Sequence, residues 1–289
     1  MQTKGINLSE KRNFSDELTV TFQFIKQEFK SLMTALAVIV LPLVFVELFM
    51  QSFLLKGILA GNVFASDMGW MTLLVNYVLS ISAFLWLQLF MLSYLRLYSE
   101  KYPTQERVNI SWHEVLKLMR RYLGRFLVLD IVYFFMSFVG FVCLLVPGIY
   151  LSVLFLFAPY FLVVQDKNLS ASFSAFSASS DLCRGQWWGT FGYVILCSLV
   201  FSTLGYVFSF PYIGVYVGSF FTGEVPGLFE MTLAGAIAKL GNYLVSGGLV
   251  LAIGIRFFSR REGKEHSVLL NKIEQIGMEE QAESGEDKL

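Results

Sequence analysis

The chain has 289 residues, of which 55% are apolar, 16% aromatic and 15% charged, with a mean hydropathy of +0.60. Soluble domains carry roughly 25% charged residues, so this composition excludes a soluble globular domain, a disordered chain and a disulfide scaffold. The 22 Lys and Arg balance the 22 Asp and Glu, which removes any net-charge argument for nucleic acid.

Residues 1–30 are polar, hold five basic side chains and lack a cleavable apolar core, so the first apolar stretch is expected to act as an uncleaved anchor. Leu18, Phe22, Ile25, Phe29 and Leu32 recur at helical spacing and predict an amphipathic helix over 15–32. The chain then predicts an all-α membrane bundle over 31–257, with spans at 31–54, 70–95, 126–146, 149–165, 188–210 and 231–257. A helix needs about 20 residues to cross about 30 Å of hydrocarbon. Five of these meet that length, and the fourth is short. Pro147-Gly148 interrupts the apolar run 126–165, predicting a tight hairpin there. Pro42 and Pro159 predict kinks. The apolar stretch 212–221 is too short to cross and reads as re-entrant or interfacial on the outer side. Residues 258–289 are acidic and predict a solvated, partly disordered tail, with a short apolar stripe at Leu269, Leu270, Ile273 and Ile276.

Twenty of the 22 basic residues fall in the N-terminal segment, 96–125, 166–187 and the end of the chain from Arg256; only Lys56 and Lys239 do not. Basic connections stay on the cytoplasmic side. The expected topology is therefore a multi-pass protein of the cell membrane, in the manner of a bacterial inner membrane, with both termini cytoplasmic. Two further amphipathic segments lie on that side. In 111–125, Trp112, Val115, Leu116, Met119, Tyr122 and Leu123 share one face, while His113, Glu114, Lys117, Arg120 and Arg121 take the other. Ser111 and Glu114 have capping-box spacing. The second segment, 169–183, places Leu169, Phe173, Phe176, Ser180 and Cys183 at helical offsets. Such helices either lie in the membrane surface against anionic headgroups, the preferred reading, or pack on the bundle. Each precedes an inward-to-outward span and its return, which suggests three related units of helix plus hairpin.

One segment is family-like. Leu145-Val146-Pro147-Gly148-Ile149-Tyr150 opens a hairpin, and Ala175, Ser179, Leu182, Arg184, Gly185 and Trp188 follow at fixed spacing. This pattern resembles the membrane domain attached to some glycerophosphoryl diester phosphodiesterases and related six-span bacterial membrane proteins of unknown function. In those enzymes the resemblance assigns the chemistry to a separate barrel domain. The 32 residues after position 257 cannot form one, so the activity does not transfer. Physically, Arg184-Gly185 suits the end of a helix, and Trp187 and Trp188 suit a membrane interface.

Ionisable groups inside spans cost about 2.5–3.5 kcal/mol on insertion scales. Glu47 lies about 10 Å below the outer end of the first span and Lys239 about 12 Å below that of the last. The matched depths predict a Glu47–Lys239 pair, with Asn242 completing its hydrogen bonds. Small residues at Ala234, Ala238, Gly241, Gly248 and Ala252 predict a close helix contact on the last span. No catalytic or cofactor motif is present: the two histidines belong to no paired motif, and the three cysteines have no metal spacing. The sequence thus favours a non-catalytic scaffold or accessory subunit, with lipids and membrane proteins as partners and no metal, cofactor or nucleic acid. The alternative is a transporter or lipid-handling protein with a site near Glu47, Lys239 and Asn242. An open cavity reaching Lys239 would favour the alternative, and a tightly packed interior would oppose it.

Overall fold

Apolar periodicity turns into nine helices in the computed structural model, which describes residues 5–59, 67–102, 110–165, 171–223 and 226–286. They are α1 (Phe14–Ile39), α2 (Leu41–Leu59), α3 (Asp67–Lys101), α4 (Trp112–Cys143), α5 (Leu145–Leu154), α6 (Ala158–Gln165), α7 (Ala171–Cys183), α8 (Trp187–Thr222) and α9 (Leu228–Glu286). No strand occurs among the described residues. Among the described residues, five segments are long and apolar enough to cross a membrane, and a sixth is added if α1 and α2, bent by 53° at their junction, count as one. These are the helices of a multi-pass membrane protein.

Prolines mark where helices restart. Pro42 and Pro159 each occupy the first turn after a break, at Val40 and at Phe155–Phe157. There the missing N–H is one that the helix leaves unpaired anyway. Pro147 likewise sits in the first turn of α5, so the hairpin turn is not at Pro147-Gly148 but just before it, at the extended Leu144. Gly148 serves a different need from the one expected. A Cβ on Gly140 would lie 2.9 Å from the Gly148 Cα, so the pair lets α4 and α5 cross backbone to backbone. Pro211 does not end its helix: α8 runs unbroken to Thr222, and 212–221 forms its last turns rather than a separate re-entrant segment. One lost N–H bond costs less than exposing a run of unpaired backbone in an apolar setting. α9 also outruns its expected end, continuing helically through the segment expected to be partly disordered. No proline follows Pro226, and Glu, Lys and Gln are strong helix formers. Arg261 pairs with Glu265 one turn on, at 2.7 Å. The side chains of Leu269, Leu270, Ile273 and Ile276 lie outside the described ones.

Helix α9 is the hub. It packs on α8 along most of its apolar length and also meets α1, α2, α3 and α7. The predicted small-residue face is the α8 contact. Gly241 abuts Phe208, Gly248 abuts Phe201, and the Tyr193 hydroxyl donates to the Ala252 carbonyl at 3.1 Å. On its opposite side Gly254 accommodates Leu95 and Tyr160.

The amphipathic segments depart from expectation in informative ways. In α1 the buried positions are Glu17, Thr21, Phe24, Glu28 and Leu32, while Phe22 and Phe29 of the predicted apolar stripe are exposed. The buried face is shifted by about one residue from the predicted stripe, so Glu17, Thr21 and Glu28 turn inward beside Phe24, while Phe22 stacks on Phe201 at the edge of the contact. Paired partners inside compensate for the buried charge: Glu17 reaches Arg256 at 2.6 Å, and the Tyr94 hydroxyl donates to Glu28 at 3.0 Å. The 111–125 segment is not a separate surface helix but the first half of α4, with Val115, Met119 and Tyr122 buried against the bundle. The Ser111 N–H donates to the Glu114 carboxylate at 3.0 Å, and Lys101 closes on that carboxylate at 2.8 Å. In the third segment Leu169 lies outside the described residues, and α7 begins at Ala171. The lead-in helices are thus bent, continuous and detached in turn, so the three proposed units differ in how each enters its span.

Candidate functional site

The deep polar groups converge where α2, α3, α8 and α9 meet. Glu47 is wholly enclosed, and its Oε1 lies 2.6 Å from the Lys239 Nζ. Three further contacts fix this arrangement. Tyr243 donates to Glu47 Oε2 at 2.6 Å, the Ser80 hydroxyl donates to Oε1, and Lys239 donates to Gln51 Oε1 at 3.1 Å. A buried ion pair persists when its remaining lone pairs and protons are also satisfied. The predicted pairing of Glu47 and Lys239 is therefore present in the geometry.

Asn242 is not part of it. Its Nδ2 donates to the Ala238 carbonyl at 2.9 Å and to Ser209 on α8 at 3.3 Å. At roughly 100° per residue, position i+3 is rotated about 60° to one side of Lys239 and i+4 about 40° to the other. Only the second direction faces α2, so Tyr243 takes the role expected of Asn242. The sequence did carry a signal for it: Gln51 is four residues after Glu47, and Tyr243 four after Lys239. Ser80 gave none.

A cleft of about 390 Å³ lies over this network. Glu47, Gln51, Ser80, Ser209, Lys239 and Asn242 are among its walls. It exists because α2 and α8 both pack on α9 and scarcely on one another. The groove along α9 is therefore open at its side. Within the ion pair only Lys239 has surface to offer it, 19% of the side chain, against none for Glu47.

The family-like motif builds something else, a clamp on the broken α5–α6 span. Ser179 is fully buried; its hydroxyl donates to the Leu154 carbonyl at 2.8 Å and accepts the Phe157 N–H at 3.1 Å. Both backbone groups are left over by the break at Phe155–Phe157. Ala175 is buried beside it, Leu182 packs on the same core, and the Cys183 thiol donates to Val153 at 3.5 Å. Burial pushes that thiol up to about 11. Gly185 holds a φ of +80°, which turns the chain from α7 into α8. Arg184 is exposed, 3.7 Å from Asp181 on the last turn. Trp188 is exposed, while the Trp187 indole donates to the Tyr150 carbonyl at 3.2 Å.

At the basic end of the bundle lies a second buried pair that the sequence reading missed, Glu17 with Arg256. The Arg256 guanidinium also stands 4.6 Å from the Tyr193 ring centroid. Both residues sit at the margins of their apolar runs, where a charge raises no alarm. Arg96 donates to Glu100 at 2.7 Å, to the Val163 carbonyl at 2.7 Å and to the Tyr122 hydroxyl. Among the described residues no group of His, Cys, Asp and Glu is arranged to hold a metal.

Residues 118–261 match a domain of unknown function, DUF7847. The match covers just under half of the chain, from α4 into α9. It takes in the Ser179 clamp and the α8–α9 wall of the cleft, but neither Glu47 nor Ser80. No curated protein and no solved structure matches the chain. The resemblance to phosphodiesterase-associated membrane domains thus stands on its motif alone.

Proposed function

We propose that this is a six-span protein of the cell membrane, in the manner of a bacterial inner membrane, with both termini cytoplasmic, that binds an amphiphile in the groove along α9. The sixth crossing is the bent α1–α2 pair, and the orientation rests on the basic residues gathered at one end. One observation carries the binding reading: a polar cleft, open at its side between α2 and α8, reaches Lys239 at the depth of the apolar spans. A side opening within the membrane admits lipid more readily than a water-soluble solute. An interior without such a cleft would have favoured a scaffold or accessory subunit instead.

At the basic end, Lys117, Arg120 and Arg121 project from the exposed side of α4, which supports contact between that face and anionic headgroups. The full chain purified in mild detergent, analysed by native mass spectrometry, tests the binding reading: retained lipid is expected, and recovery free of lipid under conditions that preserve the fold would overturn it. Reporter fusions test the topology, with both ends expected to report from the cytoplasm. An external report from either end would overturn the orientation.

A further inference from the structure

We infer that the bound amphiphile presents an anionic group, a phosphate or carboxylate, to Lys239; this rests on the reading of the groove as an amphiphile site. The ion pair is neutral as a whole but lopsided in what it shows. Glu47 is wholly enclosed and takes donors from Ser80, Tyr243 and Lys239, so its negative charge is saturated from behind. Lys239 spends one N–H on Glu47 and one on Gln51. Its third has no partner among the described residues, and its side chain lines the cleft. No other charged residue of the lining is accessible. The cleft therefore offers a ligand an ammonium donor, while the Ser246 hydroxyl on its wall can donate alongside it. A cationic headgroup would meet the ammonium and find the carboxylate out of reach. In surroundings of low dielectric an anion at a hydrogen-bonding distance is favoured strongly over a neutral or cationic group.

The test uses the full chain in detergent with equal amounts of dioleoylphosphatidylglycerol and 1,2-dioleoylglycerol, which has the same acyl chains and no phosphate, and native mass spectrometry to count what is retained. The wild type is expected to prefer the phosphate-bearing lipid by about tenfold. The double variant Glu47→Gln with Lys239→Gln, which keeps polar side chains of similar size and removes both charges, is expected to retain both lipids alike. Equal retention by the wild type would overturn the inference, as would an undiminished preference in the double variant. Ser246→Trp, which fills the cleft, is expected to lose both lipids, and Ser209→Leu from the opposite wall makes the same test if the tryptophan variant does not fold. Unchanged retention in these filled variants would overturn the groove itself as the lipid site. Loss in them together with equal retention in the wild type would overturn only the anionic preference. Excess sn-glycerol 3-phosphate is expected to leave the lipid bound; displacement by it would overturn the lipid as source of the anion.

Discussion

Glu17 and Arg256, 239 residues apart in sequence, pair at 2.6 Å with both side chains almost wholly enclosed. This contact ties the first helix to the last at the basic end of the bundle, much as Glu47 and Lys239 tie α2 to α9 deeper in.

Removing one partner of such a pair leaves an uncompensated buried charge, at a cost of about 3–5 kcal/mol. Glu17→Ala is therefore expected to lower the apparent Tm sharply in detergent. Glu17→Met combined with Arg256→Met should recover most of the loss, because the double replacement buries no charge. Thermal unfolding followed by size-exclusion chromatography measures both.

Charge exchange at the deeper pair should behave less symmetrically. Glu47→Lys or Lys239→Glu alone is expected to reduce folded yield in the membrane strongly. The two together should restore it only in part, because Tyr243 and Ser80 donate to a carboxylate at position 47 and must rotate to accept from an ammonium. Failure of the exchange to restore any folded protein would contradict the pairing.

Ser179→Ala leaves the Leu154 carbonyl and the Phe157 N–H without their shared partner. An unsatisfied buried group costs about 1–3 kcal/mol. The variant should therefore unfold at lower temperature and exchange the Phe157 amide hydrogen faster, with distant helices unchanged. A fall in stability without faster exchange at Phe157 would place the effect elsewhere.

The thiol of Cys183, raised to about 11 by burial, should resist alkylation. Treatment of the folded protein with iodoacetamide at pH 8 is expected to leave it unmodified, and the same treatment in sodium dodecyl sulfate to modify it fully. Peptide mass spectrometry reads the difference.

Much of this architecture was legible from hydropathy, because apolar runs of membrane length have few alternatives to a helix. Charge depth along α2 and α9 found Glu47 and Lys239 for the same reason. What escaped was governed by the third dimension. The rotation of α1 could not be read from its own pattern, since Phe22 and Phe29 look like a core stripe until Arg256 and Tyr94 claim Glu17 and Glu28 from the other side. Asn242 and Tyr243 both lay within reach of Lys239, and only the placement of α2 chose between them. Ser179 was noticed as part of a motif, but its purpose depends on a helix break 22 residues away.

The order of synthesis gives the hub position of α9 a biosynthetic meaning. The Glu47 carboxylate on α2 is synthesised long before the ammonium that neutralises it, since Lys239 belongs to the final helix. Until α9 docks, the nascent chain carries an acidic group that lipid tolerates poorly. A chain truncated ahead of α9 would keep that group bare.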